Sequence, residues 1–293
     1  MQTVAVLSLK GGVGKTTVVL GLASAALRRG ARTLVVDLDP QCNATATLDP
    51  ADTEATLADV LETPRPSVLR AAIAPSGWSD EVDVMVGSEE LESLNDPDPG
   101  QRRLEKLGRA LAELGSLLAE DELPYQMVLM DCPPSLGRLT RSALVAAQGA
   151  LLVTEPTLYA VSGAQRAFEA VERTRREQNP NLVPLGVVVN KVRTHSYEHQ
   201  FRIAELRESF GSLVMPVALP DRLAVQQAQG ACMPIHQWHT PGAREVSLAF
   251  NLLLARVLRT GGRGRHQAIA WPDDDDTDST DPDPAGPAQR AAD

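Results

Sequence analysis

The chain has 293 residues, 43% of them hydrophobic but only 3% aromatic, and a net charge of −10; that length suits one large α/β domain or two small ones, with a core of Val, Leu and Ala. Residues 273–293 hold eight Asp and one Arg, so −7 of the charge sits there, and a near-neutral body does not exclude a local basic face for nucleic acid. The absence of an apolar run of spanning length, of a signal-peptide layout and of any C-x-x-C pair among Cys42, Cys132 and Cys232 argues against a membrane span, a disulfide framework and a zinc ribbon, and points to a reducing cytoplasm.

Residues 3–9, "TVAVLSL", predict a short buried strand, and "TTVVLGLASAALRRG", 16–30, predicts a helix that stops at Gly30. Between them lies "KGGVGKTT", 10–17. A glycine-rich turn between strand and helix lets backbone N–H groups approach an anion, and the helix N-terminus adds favourable dipole. Gly11, Gly12 and Gly14 supply the open backbone. Lys15 is placed for β- and γ-phosphates and Thr16 for Mg²⁺, the general roles of those positions in phosphate loops. The pattern departs from the usual G-x-x-x-x-G-K-[ST], because Leu9 stands where its first glycine belongs and Lys10 is added.

"ARTLVVDLD", 31–39, predicts a second strand, ending in Asp37 and Asp39. Residues 45–80 and 88–100 are irregular and read as decoration of the sheet's C-terminal edge, with a strand at 83–87 between them. A helix is predicted at about 101–119, then a strand at 125–131 that ends in Asp131 before a Pro-Pro pair. A carboxylate at a buried strand end is costly unless a cation accompanies it. Further helices are predicted at 138–148, 160–178, 197–210 and 242–259, with strands at 149–155 and 182–190. The last strand ends in Asn190, whose amide could pair with an adenine edge. Strands alternating with helices predict a doubly wound, mainly parallel sheet with helices on both faces. From Gly261 the composition turns to a basic linker and then a Pro- and Asp-rich acidic tail. The domain is therefore expected to span 1–260, with 261–293 disordered. The histidine pairs His195/His199 and His236/His239 lack companion ligands at metal-site spacing.

"KGGVGKTT" resembles throughout the K-G-G-x-G-K-T-[ST] loop of the deviant-Walker P-loop ATPases, the ParA/MinD family. "VVDLDPQCNAT", 35–45, is similar to that family's D-x-D-P-Q-G-N-A-T segment, with Cys42 in place of the glycine. "VLMDCPPS", 128–135, resembles its D-x-P-P Walker B segment. The resemblance implies ATP and Mg²⁺ as cofactors, held by the whole loop: Lys10, Gly11, Gly12, Val13, Gly14, Lys15, Thr16 and Thr17. It implies that Lys10 crosses an ATP-dependent homodimer to the partner's phosphates, and that Lys15 and Asp39 join it in catalysis. It further implies that Thr16, Asp37, Asp39 and Asp131 serve the metal, and that Pro220 and Asp221 in "ALPDR" join Asn190 at adenine.

Within that family the acidic tail argues against a MinD-like membrane helix, since anionic lipid would repel it. Biosynthetic relatives share the loop but not the 35–45 segment. "VDVMVGSEELESLN", 82–95, and "PIHQWHTPGAREVSLAFNLLLARVL", 234–258, resemble segments of the ParA partition group. With the phosphate loop at the N-terminus, the chain is similar to the short ParA/Soj type. That resemblance implies slow ATP hydrolysis stimulated by a ParB-type centromere-binding protein. It also implies non-specific binding of double-stranded DNA, and a cytoplasmic, nucleoid-associated location without membrane. The expected DNA contacts are Arg193, Arg202, Arg222, Arg259, Arg263 and Arg265, because such binding needs cations that meet phosphates. Alternatives are a ParA-like ATPase positioning a protein cargo, a MinD-like membrane-cycling regulator, and a metabolic P-loop ligase.

Overall fold

The computed structural model describes residues 1–97, 100–117 and 123–262. Seven strands form one sheet: β1 (Gln2–Leu7), β2 (Thr33–Asp37), β3 (Ile73–Ser76), β4 (Ser79–Met85), β5 (Met127–Asp131), β6 (Gly149–Thr154) and β7 (Val183–Val189). Their order is β3-β4-β2-β5-β1-β6-β7. All pairings are parallel except that of the edge strand β3 with β4. The expected doubly wound, mainly parallel sheet is therefore present.

Alternation along each strand divides the core between two faces. Val4 and Val6 of β1, Val35 of β2 and Leu129 of β5 face one apolar cluster, with the helices Lys15–Arg28 and Pro241–Gly262. Ala5, Leu7, Val36 and Met130 face the other, with the helices Leu57–Glu62, Gln101–Ala112, Arg138–Ala146 and Ala160–Glu177. Strands buried on both sides account for the unbroken apolar runs in the sequence.

On the first face the two helices touch closely at Gly21, where an added Cβ would lie 2.1–2.3 Å from ring atoms of Phe250. Gly21→Ala is expected to destabilise the fold by about 1–3 kcal/mol through overpacking, although alanine is the better helix former. A denaturant midpoint shift at unchanged m-value would check this.

The strand expected at 83–87 is β4, which runs earlier, Ser79–Met85, while its antiparallel partner β3 and the helix Leu223–Gly230 were not expected from the sequence. β3 is four residues long and contains Pro75, beside a register shift, which an edge strand tolerates and a strand pattern does not reveal. The 45–80 stretch also carries short helices, including Leu57–Glu62, which Thr56 and Asp59 close with a capping box. The helix expected at 101–119 runs Gln101–Ala112, with a further turn at Leu114–Leu117; residues 118–119 lie outside the described residues, as does the expected tail from 263 onward. No helix among the described residues is long and apolar enough to cross a membrane.

Candidate nucleotide site

Parallel register decides which strand ends meet. Val6 of β1 and Asp37 of β2 both pair with Asp131 of β5, so two carboxylates stand side by side at the C-terminal edge. The phosphate loop leaves β1 at that same edge.

Gly12 and Gly14 have φ of 77° and 92°, left-handed values that glycine adopts without penalty. A Cβ at Gly14 would also lie 2.2 Å from Nδ2 of Asn190. Asn190 donates from Nδ2 to the Val13 carbonyl at 2.8 Å, and Lys191 donates from Nζ to the Gly12 carbonyl. The end of β7 thus ties two loop carbonyls back toward the protein. The helix that follows starts at Lys15 with no side-chain cap, which leaves its first N–H groups available to an anion. Lys191 has φ of 56° and was missed in the sequence reading; a lysine directly after the strand-ending Asn190 was the available signal.

Lys15 is 6% exposed at the start of that helix. Thr16 donates from Oγ1 to Oδ2 of Asp131 at 2.6 Å. Asp131 is fully buried, and its Oδ1 has no hydrogen-bond partner. Burial first, and then the neighbouring Asp37 charge, raise its pKa, against smaller lowering by Thr16 and Lys15. Burial likewise raises Asp37. Two buried carboxyls with one orphaned oxygen beside a threonine hydroxyl form a donor set that fits a divalent cation.

Ionising Asp131 therefore costs stability in the metal-free chain, and that cost grows as pH rises above the ordinary carboxylate range. Asp131→Asn is expected to stabilise the nucleotide-free chain by on the order of 1 kcal/mol, a few degrees in melting temperature, while abolishing Mg²⁺-dependent turnover. Paired melts in EDTA near pH 8 and near pH 5 check the sign, because the gain should shrink at the lower pH.

Asp37 spends Oδ2 on the Thr45 N–H and hydroxyl, both at 2.8 Å, so it also anchors the 39–45 turn. Asp39 is 7% exposed; its Oδ1 accepts from Gln41 N–H at 3.1 Å and its carbonyl from Cys42 N–H at 2.8 Å. Cys42 has φ of 51°, the conformation that explains glycine in the resembling segment and costs a non-glycine residue about 1–2 kcal/mol. Burial, and then Asp37 and Asp39, push its thiol up to about 11, which disfavours the thiolate.

Lys10 stands half-exposed at the loop mouth, salt-bridged to Glu155 and 3.4 Å from the Thr157 hydroxyl. Lys191 lies 4.0 Å from the same carboxylate. Glu155, directly after β6, thus sits between two lysines of the loop region, and the sequence reading did not single it out. Pro220 pairs with Val192 in an isolated bridge, which sets 219–221 beside the strap from Asn190. Asp221 spends its carboxylate on Arg193 Nε at 2.8 Å.

The expected DNA arginines are unequal. Arg193 is paired with Asp221, and Arg222 is bidentate on Glu245 at 2.6 and 2.8 Å. Arg202 bonds Glu198 and Glu205, and its side chain is 15% exposed. Arg259 is exposed with no ion-pair partner among the described residues. Arg263 and Arg265 lie outside the described residues.

Residues 1–183 match a family described as AAA domain. The chain is 32% identical to the chromosome-partitioning ATPase Soj of Thermus thermophilus, over 88% of this chain and 97% of that one. It is 32% identical to the chromosome partitioning protein ParA of Caulobacter vibrioides, over 80% of this chain and 86% of that one. Among solved structures, cobyrinic acid a,c-diamide synthase of Mycobacterium smegmatis with bound ADP and magnesium superposes with a TM-score of 0.70 at 25% identity. That match covers 93% of this chain and 100% of the other.

Proposed function

The chain belongs to the ParA/Soj family of partition ATPases, and from that premise we propose that it is an ATP-dependent dimerising switch for DNA segregation. The observation that carries this reading is the second lysine at the loop mouth. Lys15 is enclosed in the pocket, whereas Lys10 projects from it and is held by a carboxylate of its own chain. A cation in that position cannot serve its own pocket as Lys15 does, but it can reach an anion brought up against the loop by a second copy.

In this reading ATP lays its phosphates on the backbone of 11–17, and Lys15 offsets their charge from below. Thr16 and Asp131, with Asp37 and Asp39 nearby, hold Mg²⁺, which supplies charge neutralisation on the phosphates. Asp39, at the rim of the pocket, orients the attacking water. Asn190 retains its carbonyl oxygen for the adenine edge, and Pro220 and Asp221 border it. When two loaded chains meet, each Lys10 leaves Glu155 for the partner's phosphates. Hydrolysis by positioning and electrostatics then depends on the dimer, and a ParB-type protein accelerates it. The closed dimer holds double-stranded DNA without sequence preference, through Arg259 and the basic linker with Arg263 and Arg265. Arg193, Arg202 and Arg222 contribute only as their carboxylate partners release them. The protein works in the cytoplasm on the nucleoid.

Binding of plain duplex DNA should be tested with ADP, ATP and a slow ATP analogue across a salt series. Binding with ATP or the analogue but not ADP, weakening steeply with salt, is the expected result. Nucleotide-independent affinity, or none, would remove the DNA switch. ATP-dependent pelleting with anionic liposomes would favour the membrane-cycling alternative, and steady turnover of small carboxylates without DNA would favour the ligase.

A further inference from the structure

On the sheet face opposite the helix Lys15–Arg28, a polar cavity of about 330 Å³ opens between the ends of three helices. It is lined by Arg103, Lys106, Arg138, Glu62 and Asp96, among others. The volume lies within the ordinary range for small-ligand sites, ~300–1,000 Å³.

Arg138 is 4% exposed, and its Nε is buried without a hydrogen-bond partner. One of its other nitrogens donates to the Leu61 carbonyl at 3.0 Å, while Lys106 donates to the Glu62 carbonyl at 2.6 Å. Both cations therefore rest on main-chain oxygens at the end of the helix Leu57–Glu62, and neither has a carboxylate ion pair among the described residues. Arg103 reaches Asp96 only at 3.7 Å. Burial and then the neighbouring arginine charges lower the Lys106 pKa, and burial followed by Arg103 lowers that of Arg138. Three cations from two helices are thus drawn together, with Glu62 and Asp96 as the carboxylates of the lining.

We propose that this cavity is a binding site for a small phosphate ester, distinct from the nucleotide site. A tetrahedral dianion presents several acceptor oxygens and more charge than one carboxylate, and so suits a cavity lined by Arg103, Lys106 and Arg138. The cavity exceeds a bare phosphate, so the attached group has room. Glu62 and Asp96, on the same lining, oppose a polyanion and accept hydroxyls or amines of that group.

The site is joined to the segment that follows Asp131. Arg138 N–H donates to the Asp96 carbonyl at 2.9 Å, and Asn95 donates from Nδ2 to the Ser135 hydroxyl at 3.0 Å. An occupant would fix the 132–138 loop at its far end.

The test uses the full chain with inorganic phosphate and glycerol 3-phosphate as probes, against chloride and acetate at equal ionic strength, read by calorimetric titration and thermal shift. Lys15→Ala blanks the phosphate loop, and the paired exposed substitutions Arg103→Ala and Lys106→Ala remove two of the cations. Arg138 is left in place because it is buried, and since Lys106 also holds a carbonyl of the Leu57–Glu62 helix, a melting curve of the double variant checks that the fold is kept. The expected result is saturable phosphate binding that survives Lys15→Ala and weakens at least tenfold in the double variant. Equal binding in the double variant, no binding in the Lys15→Ala chain, or equal stabilisation by acetate would overturn the proposal. So would loss of duplex DNA binding in the double variant without any phosphate effect.

Discussion

Lys15→Ala is expected to abolish ATP binding, weakening it by at least about 100-fold, or ~2.7 kcal/mol. The position explains the size of the effect. Lys15 is the buried cation at the start of the loop helix, 6% exposed, and its charge partly offsets the rise that burial imposes on the Asp131 pKa. Without it, an incoming triphosphate meets two adjacent strand-end carboxyls with no enclosed cation to balance them. The backbone N–H groups and the helix dipole remain, and these supply part of the attraction but not the charge. A fluorescent-nucleotide titration measures the loss. A melting curve equal to or above that of the unsubstituted chain would show that the fold survives. Affinity within a few-fold of the unsubstituted chain would remove Lys15 from the phosphate site.

Asp39→Ala should separate binding from turnover. Asp39 makes no hydrogen bond to the loop among the described residues; it closes the 39–42 turn through Gln41 and Cys42 N–H groups. Removing its carboxylate should therefore leave ATP affinity within a few-fold, while hydrolysis falls about 10²–10⁴-fold, the range for a positioned proton-handling or water-orienting group. Phosphate release in single turnover, with nucleotide saturating, isolates the step. Normal hydrolysis by the variant would show that Asp39 is a turn residue and nothing more. A joint loss of binding and turnover would assign it to holding the 39–45 turn around Asp37.

Strands β1, β2, β5, β6 and β7 were legible because each is an unbroken apolar run with a polar or glycine stop, the pattern a doubly buried strand requires. The glycine-rich loop after β1 and the aspartates that end β2 and β5 were legible because motif residue types and spacing go together, whereas Asp39, expected at the strand end, lies in the turn that follows it. β3 was not, since four residues containing a proline at a sheet edge follow no period. Glu155 and Lys191 were missed for a different reason. Their meaning lies in contacts across 145 and 179 residues of sequence, to Lys10 and to Gly12, and no local pattern marks such a pair. The same holds for Arg138, which in sequence is an ordinary helix-start arginine and in the fold is a buried guanidinium whose Nε has no hydrogen-bond partner. The expected DNA arginines show the complementary limit of a sequence. Composition displays a cation but not the carboxylate beside it, and Arg202 and Arg222 are already neutralised within the chain.

The central claim is that ATP joins two copies of this chain at the loop mouth. Gly11 offers a probe, because an added Cβ there meets nothing within 4 Å in its own chain, so that, once nucleotide binding by the variant is verified, a side chain at that position tests the approach of a partner. Light scattering coupled to size exclusion, with ADP and with a slow ATP analogue, should give single chains in ADP and twice that mass in the analogue. Gly11→Val should bind the analogue and remain a single chain. Single chains of the unsubstituted protein in saturating analogue, or dimers of Gly11→Val as stable as its own, would contradict the account.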